Sequence, residues 1–239
     1  MYSFTSRVRY SECDGDLRLT IPNCINYLQD CSMFHCEHLG RGFSYCTEHR
    51  FAWFIMAWQI RIDRLPSFKE KIRVNTWCYN MSATLAKRAF TIEDEQGGTI
   101  VTADSLVAAY DLDRGRAGRI PASERAFVSD DPRPNLPPTK RKLSVSGEGA
   151  EVLRVPVTRR LLDSNGHVNN VQYIAIAEDA IRTRSSEFVP TNILVQYKVS
   201  AHLDDTIIAK LYEEDNGYAL DLCDPTGLSF AFVRMEGRA

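Results

Sequence analysis

The chain has 239 residues, 44% of them hydrophobic and 25% charged, with a formal net charge of −2. That is enough for one large domain or two small ones with a proper core, and the charge balance argues against bulk nucleic-acid binding. No apolar run approaches the roughly 18 residues that a membrane helix needs, and seven cysteines, an odd number with no C-x-x-C pair and no signal peptide ahead of them, fit a reducing cytoplasm.

Residues 3–10 alternate polar and apolar side chains as a half-buried strand does, and Ser11-Glu12-Cys13-Asp14-Gly15-Asp16 ends it. A helix is expected next. Thr20 can cap it, Pro22 suits its first turn, and Ile21, Cys24, Ile25, Leu28, Cys31 and His35 keep helical spacing up to Gly40. Cys31, His35, Cys36 and His38 invite a metal reading, since Cys31 and His35 stand one turn apart. No second ligand pair at zinc-finger spacing appears, so core packing is the expectation and no metal is predicted.

Residues 51–63 are too apolar on both faces for a solvent-exposed strand, so they are expected to be buried. Strands at 71–79, 85–93 and 99–110 complete a meander, with Gln96-Gly97-Gly98 turning the last hairpin. From Asp113 to Arg160 the glycines and prolines leave no room for a long regular element. This stretch reads as a connector with a basic end at Lys140-Arg141-Lys142; Arg159-Arg160 follow further on, and a solvated charge run is the plainer reading of these.

The second half repeats the first. Residues 157–162 are predicted as its opening strand, a helix follows to about Arg184, and 193–199 takes the place of 58–63. Leu203-Asp204-Asp205-Thr206-Ile207 echoes Phe68-Lys69-Glu70-Lys71-Ile72, and Asp224-Pro225-Thr226-Gly227 turns the final hairpin as Glu95-Gln96-Gly97-Gly98 does. A long helix wrapped by an antiparallel sheet, used twice, is an α+β tandem (double) hotdog. The expected division is an N-terminal repeat over 1–112, a connector over 113–152 and a C-terminal repeat over 153–239.

Between the second opening strand and its helix lies Asp163-Ser164-Asn165-Gly166-His167-Val168-Asn169-Asn170, which reads as strand, turn, helix. Asn165-Gly166 tolerates positive φ, and Asn169 or Asn170 can cap the helix. Asp163, Asn165 and His167 alternate, so a locally extended backbone would aim all three to one side, while N–H groups at the helix start could receive an oxyanion. A plain turn with a surface histidine is the alternative. The first half offers Asp14-Gly15-Asp16-Leu17 here, so one half is expected to bind and the other to react.

With these residues in view, the chain resembles the acyl-ACP thioesterases of bacteria and plants, double-hotdog enzymes that release fatty acids from acyl carrier protein. The likeness rests on Asp163-x-Asn165-x-His167-Val168-Asn169-Asn170-x-x-Tyr173, Asn26-Tyr27-Leu28-Gln29-Asp30, Ile62-Asp63-Arg64-x-Pro66, Thr76-Trp77 and Arg119-Ile120-Pro121. It implies catalytic roles for Asp163, Asn165 and His167. The family commonly has a further catalytic glutamate after the following strand, where this chain has Ser200 after Tyr197-Lys198-Val199, with Ala201 next to it. Ser200 is carried as a site candidate; a structural hydroxyl is the plainer reading.

Thioester hydrolysis needs a nucleophile, stabilisation of the carbonyl charge and a dry channel for the acyl chain. Asp163 is expected to attack or to deprotonate water, His167 and Asn165 to orient it, and the helix-start region at Val168 and Asn169 to contact the substrate. The resemblance places the acyl pocket on the first buried strand, at Trp53, Ile55 and Ala57. No cofactor is implied. The expected partner is acidic acyl carrier protein bearing a phosphopantetheine-linked acyl chain, steered by Lys140, Arg141, Lys142, Arg159, Arg160, Arg182 and Arg184 to a monomer that could also pair as a homodimer. An acyl-CoA thioesterase, a hotdog dehydratase or hydratase and a non-catalytic acyl-binding protein stay open as alternatives. A serine hydrolase does not fit, because no G-x-S-x-G elbow occurs.

Overall fold

The computed structural model describes residues 1–145 and 147–238, and the chain divides into two compact units, Met1–Thr139 and Lys140–Ala239. The first unit runs β1 (Tyr2–Arg7), α1 (Ile21–His38), α2 (Phe43–Glu48), β2 (Phe51–Ile62), β3 (Lys71–Met81), β4 (Leu85–Glu93), β5 (Thr99–Asp111) and β6 (Arg116–Ala117). Its strands pair antiparallel in the order β1-β3-β4-β5-β2, with β6 on β5. The second unit runs β7 (Ala150–Pro156), α3 (Asn170–Arg182), β8 (Val189–Tyr197), β9 (Thr206–Glu214), β10 (Gly217–Cys223) and β11 (Ser229–Arg238), paired antiparallel in the order β8-β11-β10-β9-β7.

Helix α1 forms where its periodicity predicts. The Thr20 hydroxyl accepts from the Asn23 N–H at 3.4 Å, Pro22 occupies the first turn, and Cys24, Ile25, Leu28 and Cys31 are fully buried along one face. Each such Ile or Leu contributes about 1.5–3 kcal/mol of hydrophobic stabilisation. Helix α3 follows the same logic on a shorter length, capped by Asn169 Oδ1 on the Val171 N–H at 3.0 Å and burying Ile174, Ala177, Ala180 and Ile181. The short α2 has no periodic signal of its own and escapes the sequence reading.

Under α1 the sheet carries a polar island. Arg88, buried on β4, donates to Thr76 Oγ1 at 3.2 Å and to His35 Nδ1 at 3.0 Å. Since a guanidinium only donates, His35 Nδ1 must be the acceptor and the ring neutral. Burial, and then the Arg88 charge, lower the His35 pKa to about 4. Cys31 points its thiol at the Val74 carbonyl, so the cysteines and His35 of this helix are core residues packed against the sheet.

Two local readings are corrected. The opening strand of the second half lies at Ala150–Pro156, not 157–162; residues 159–161 form a 3-10 turn that answers the one at Tyr10–Glu12. The final hairpin is closed by Asp224 in the way that Asp94, not Glu95, closes the earlier one: Asp94 Oδ1 accepts from Gln96 and Gly98, and Asp224 Oδ1 from Thr226 and Leu228. Residues 113–139 lie on the first unit: Trp77 Nε1 donates to the Pro132 carbonyl, Arg61 to that of Asn135, and the Thr139 hydroxyl to Asp104 at 2.7 Å. Residues 132–139 thus cover the sheet face opposite α1, while Phe127 packs on the α1 side against His35 and Trp53.

Candidate active site

The stretch from Asp163 to Val168 is a closed turn rather than an extended segment. The Asp163 N–H donates to the His167 carbonyl at 2.8 Å, and the Asp163 carbonyl accepts from Gly166 at 3.1 Å. Gly166 sits at φ 75°, a left-handed conformation that glycine reaches without steric cost. The Asp163 carboxylate closes the turn from inside, Oδ1 accepting from the N–H groups of Asn165 at 2.8 Å and His167 at 3.2 Å. The expected alternation of three side chains to one side therefore does not hold, because a carboxylate at the turn's first position bonds its own backbone in preference to leaving it extended. Asp163 and His167 are half-buried and Asn165 is exposed. No hydrogen bond runs from side chain to side chain among the three within the described residues.

The first unit contains the same turn. Asp14 Oδ1 accepts from Asp16 and Arg18, the Asp14 N–H donates to the Arg18 carbonyl at 2.8 Å, and Leu17 takes the left-handed position at φ 58°. A shared backbone thus carries Asp, Asp and Arg in one repeat and Asp, Asn and His in the other. Oδ1 of either aspartate is occupied in holding the turn, and Oδ2 of Asp163 is left without a donor among the described residues.

The helix start is largely satisfied. Val168 donates to the Ala201 carbonyl at 2.9 Å, Asn169 to that of Leu161 at 2.9 Å, Val171 to the Asn169 cap and Gln172 to the Asn169 carbonyl. Among residues 168–172 this leaves the Asn170 N–H without a protein acceptor among the described residues. Val168 is buried and Asn169 is engaged as cap, so both hold the turn and the helix start in place.

The segment that follows β8 packs across the turn. Ala201 accepts from Val168 and donates its N–H to the Tyr173 hydroxyl at 2.9 Å; Tyr197 donates to the Asn170 carbonyl at 3.0 Å. Burial holds both phenols protonated, pushing Tyr173 up to about 12 and Tyr197 well above its ordinary value. Ser200 is half-buried beside this junction. Two residues on, the ring of His202 meets that of His167 at 5.0 Å between centroids and 88° between planes. Sequence reasoning missed His202; its only signal is its place in the loop that pairs with the turn. Tyr173→Phe is expected to leave the buried Ala201 N–H without an acceptor and to lower stability by about 1–3 kcal/mol, read as a shift in the urea midpoint at unchanged m-value.

The expected acyl-pocket residues do not share one face. Trp53 and Ile55 pair with Ala109 and Val107, but the β2–β5 register slips at Met56, so Ala57 pairs with Leu106 on the opposite face. Trp53 and Ile55 stay on the side that faces α1, where Trp53 packs against Phe51, Phe127, Cys36 and Cys78; Ala57 turns away with Gln59 and Arg61. The bulge inserts one residue and reverses the alternation beyond it.

A helix laid on an antiparallel sheet, present twice, with an Asp-Asn-His turn at the mouth of the second helix, defines a tandem hotdog protein. The chain matches the acyl-ACP thioesterase N-terminal domain over residues 1–127 and the acyl-ACP thioesterase C-terminal domain over residues 146–224, and it belongs to that family. Among curated proteins it is 29% identical over 182 residues to a palmitoyl-acyl carrier protein thioesterase of Arabidopsis thaliana, covering 70% of this chain and 44% of that one. It is 28% identical over 217 residues to the Gossypium hirsutum protein of the same description, covering 84% and 50%. The chain thus spans about half the length of the curated relatives it matches. Among solved structures, an acyl-ACP thioesterase from Bacteroides thetaiotaomicron superposes with a TM-score of 0.89 at 21% identity, over 99% of this chain and 97% of that one. The 12:0-ACP thioesterase from Umbellularia californica gives 0.86 at 18%, over 99% and 96%. These likenesses establish the fold.

Proposed function

We propose that the chain hydrolyses fatty acyl-ACP thioesters to free fatty acid and holo-ACP in fatty acid biosynthesis, with Asp163, Asn165 and His167 as its catalytic residues. The observation that carries the reading is the state of the Asp163 carboxylate. One oxygen pins the turn and the other is free to attack the thioester carbonyl or to take a proton from water, on a backbone already fixed. If Asp163 takes a proton from water, the water oxygen forms the C–O bond, the C–S bond breaks and the proton goes to the departing phosphopantetheine sulfur, which leaves as a thiol. If Asp163 attacks, its oxygen forms a mixed anhydride as the sulfur leaves, and water then hydrolyses the anhydride to free fatty acid and regenerated Asp163 while its proton goes to the thiolate. Asn165 and His167, held by the same turn, orient the water or the carbonyl. The Asn170 N–H is the backbone donor for the oxyanion, a contribution typically worth about 3–4 kcal/mol.

The acyl chain takes the α1-facing side of the first unit at Trp53 and Ile55, against Phe51 and Phe127. Ala57 is withdrawn from that pocket. Ser200 acts as a structural hydroxyl at the junction with Tyr173, so the turn works without a carboxylate at that position. Carrier protein is steered by the second unit, where Lys140, Arg141, Lys142, Arg159, Arg160 and Arg184 are exposed and Arg182 pairs with Glu178 at 2.9 Å. Seven unpaired thiols support a cytoplasmic setting, and no helix among the described residues is long and apolar enough to cross a membrane.

The test is free-thiol release from matched panels of acyl-ACP and acyl-CoA at low and moderate salt. The expected result is turnover of acyl-ACP with a kcat/KM that falls as salt rises, because steering by exposed charges is screened over about 10 Å at 0.1 M. Equal turnover of acyl-CoA with no salt dependence would assign the CoA thioester instead.

A further inference from the structure

We infer that His202 is a positioning residue for His167, its ring fixing the imidazole of the catalytic turn in one orientation. The inference rests on the catalytic role proposed above for that turn, and it concerns a residue outside it. The two rings meet edge to face at 5.0 Å and 88°, a geometry in which the rim of one imidazole lies on the π face of the other. Such an arrangement sets the tilt of a ring about its side-chain torsions. It does not form the near-collinear N–H···N bond at about 2.7–3.2 Å that proton transfer between the rings would need.

His202 is itself tethered. Its backbone N–H donates to Asp205 Oδ2 at 2.7 Å, the Asp205 N–H donates back to the His202 carbonyl at 3.2 Å, and Asp204 between them takes the left-handed conformation at φ 70°. His202 Nδ1 lies 3.9 Å from the same Asp205 oxygen. The loop is joined to the catalytic turn one residue earlier, through Val168 and the Ala201 carbonyl.

The first unit provides an internal comparison. There the Ser67 N–H donates to Glu70 Oε2 at 3.0 Å, the Glu70 N–H returns to the Ser67 carbonyl at 3.0 Å, and Lys69 takes φ 71°. Its backbone lies against the Asp14 turn through an Arg18–Ser67 bridge. The two repeats therefore share the loop, the carboxylate that closes it and the turn it crosses. Only the repeat with histidine in the turn also has histidine in the loop. Since the backbone and the closing carboxylate hold the loop in the first repeat without an imidazole, the second imidazole is not needed for the fold.

The test compares wild type with His202→Ala and His202→Phe, the latter keeping an aromatic ring without ionisable nitrogen. On acyl-ACP, His202→Ala is expected to lower kcat about tenfold with KM unchanged, and His202→Phe to recover to within about twofold of wild type. In parallel, long-range 1H–15N spectra of the imidazoles should show the His167 ring protons losing a ring-current shift in His202→Ala and keeping one in His202→Phe. Unchanged kcat in His202→Ala, or Phe performing no better than Ala, overturns the inference. Should wild type hydrolyse no acyl-ACP at all, the hydrolase reading falls by itself and the spectra decide this one: His167 resonances that do not move in His202→Ala overturn it.

Discussion

Asp163→Asn is expected to lower kcat for acyl-ACP hydrolysis by about 10²- to 10⁴-fold, the range spanned by a positioned base or nucleophile, while leaving the fold intact. The asparagine Oδ1 can still accept from the Asn165 and His167 N–H groups, so the turn closes as before. Only the negative charge and the basic Oδ2 are lost. Asp163→Ala would remove both functions at once and confuse a broken turn with a missing nucleophile. His167→Ala should fall in the same range of kcat. The control is Asp14→Asn, the same exchange in the same turn of the first unit, where kcat should stay within about twofold of wild type. Near-normal turnover in both Asp163→Asn and His167→Ala would remove the turn from the mechanism and leave it as a structural repeat of the Asp14 turn.

The second large effect is on stability against pH. In the folded chain burial, and then the Arg88 guanidinium, hold the His35 pKa near about 4, against an ordinary value of 6.5. Above pH 6.5 both folded and unfolded chains carry a neutral His35. Between 6.5 and about 4 the unfolded chain takes up a proton that the folded chain refuses, so stability falls with falling pH across that window and the His35 contribution levels off below it. A depression of this size corresponds to roughly 3 kcal/mol. Urea unfolding at pH 7.5 and pH 4.5 should therefore show a larger loss for wild type than for His35→Gln, whose amide oxygen can still accept from Arg88. Carboxylates whose pKa is lowered by hydrogen bonds and charge, Glu70 by Arg64 first and Asp131 by the N-terminal ammonium first, lose stabilisation as they protonate in both proteins and cancel in the comparison. Identical losses would mean that His35 takes up its proton in the folded chain near its ordinary pKa, giving up the Arg88 hydrogen bond at little cost.

How much of this was legible in the chain depends on the range over which each signal acts. Helix α1 could be read because its cap, its proline and its apolar spacing all lie within the element. The Asp163 turn was legible in the same way: Asn-Gly at its tip and asparagine at the helix start are local chemistry, although the aspartate's preference for its own backbone was stronger than the alternation that suggested three aligned side chains. That Ala57 lies on the other face from Trp53 and Ile55 could not be read, because an inserted residue in β2 leaves the hydrophobic pattern of the strand almost unchanged and shows only in the pairing with β5. β7 was placed too late because Val157 and Leu161 look like strand residues, whereas the edge pairing with β9 ends at Pro156. His202 could not be found from its neighbours at all. Its ring reaches His167 across 35 positions of chain, through a loop whose closure depends on Asp205.

The most direct test of the central claim is the intact mass of acyl-ACP after incubation with the wild-type chain. Hydrolysis by the Asp163 turn predicts conversion to holo-ACP, with the mass of the acyl group lost and the free fatty acid recovered in equal amount. An acyl-ACP whose mass rises or falls by one water with its thioester intact would assign a hydratase or dehydratase, and an unchanged mass with bound acyl-ACP would contradict catalysis and leave an acyl-binding protein.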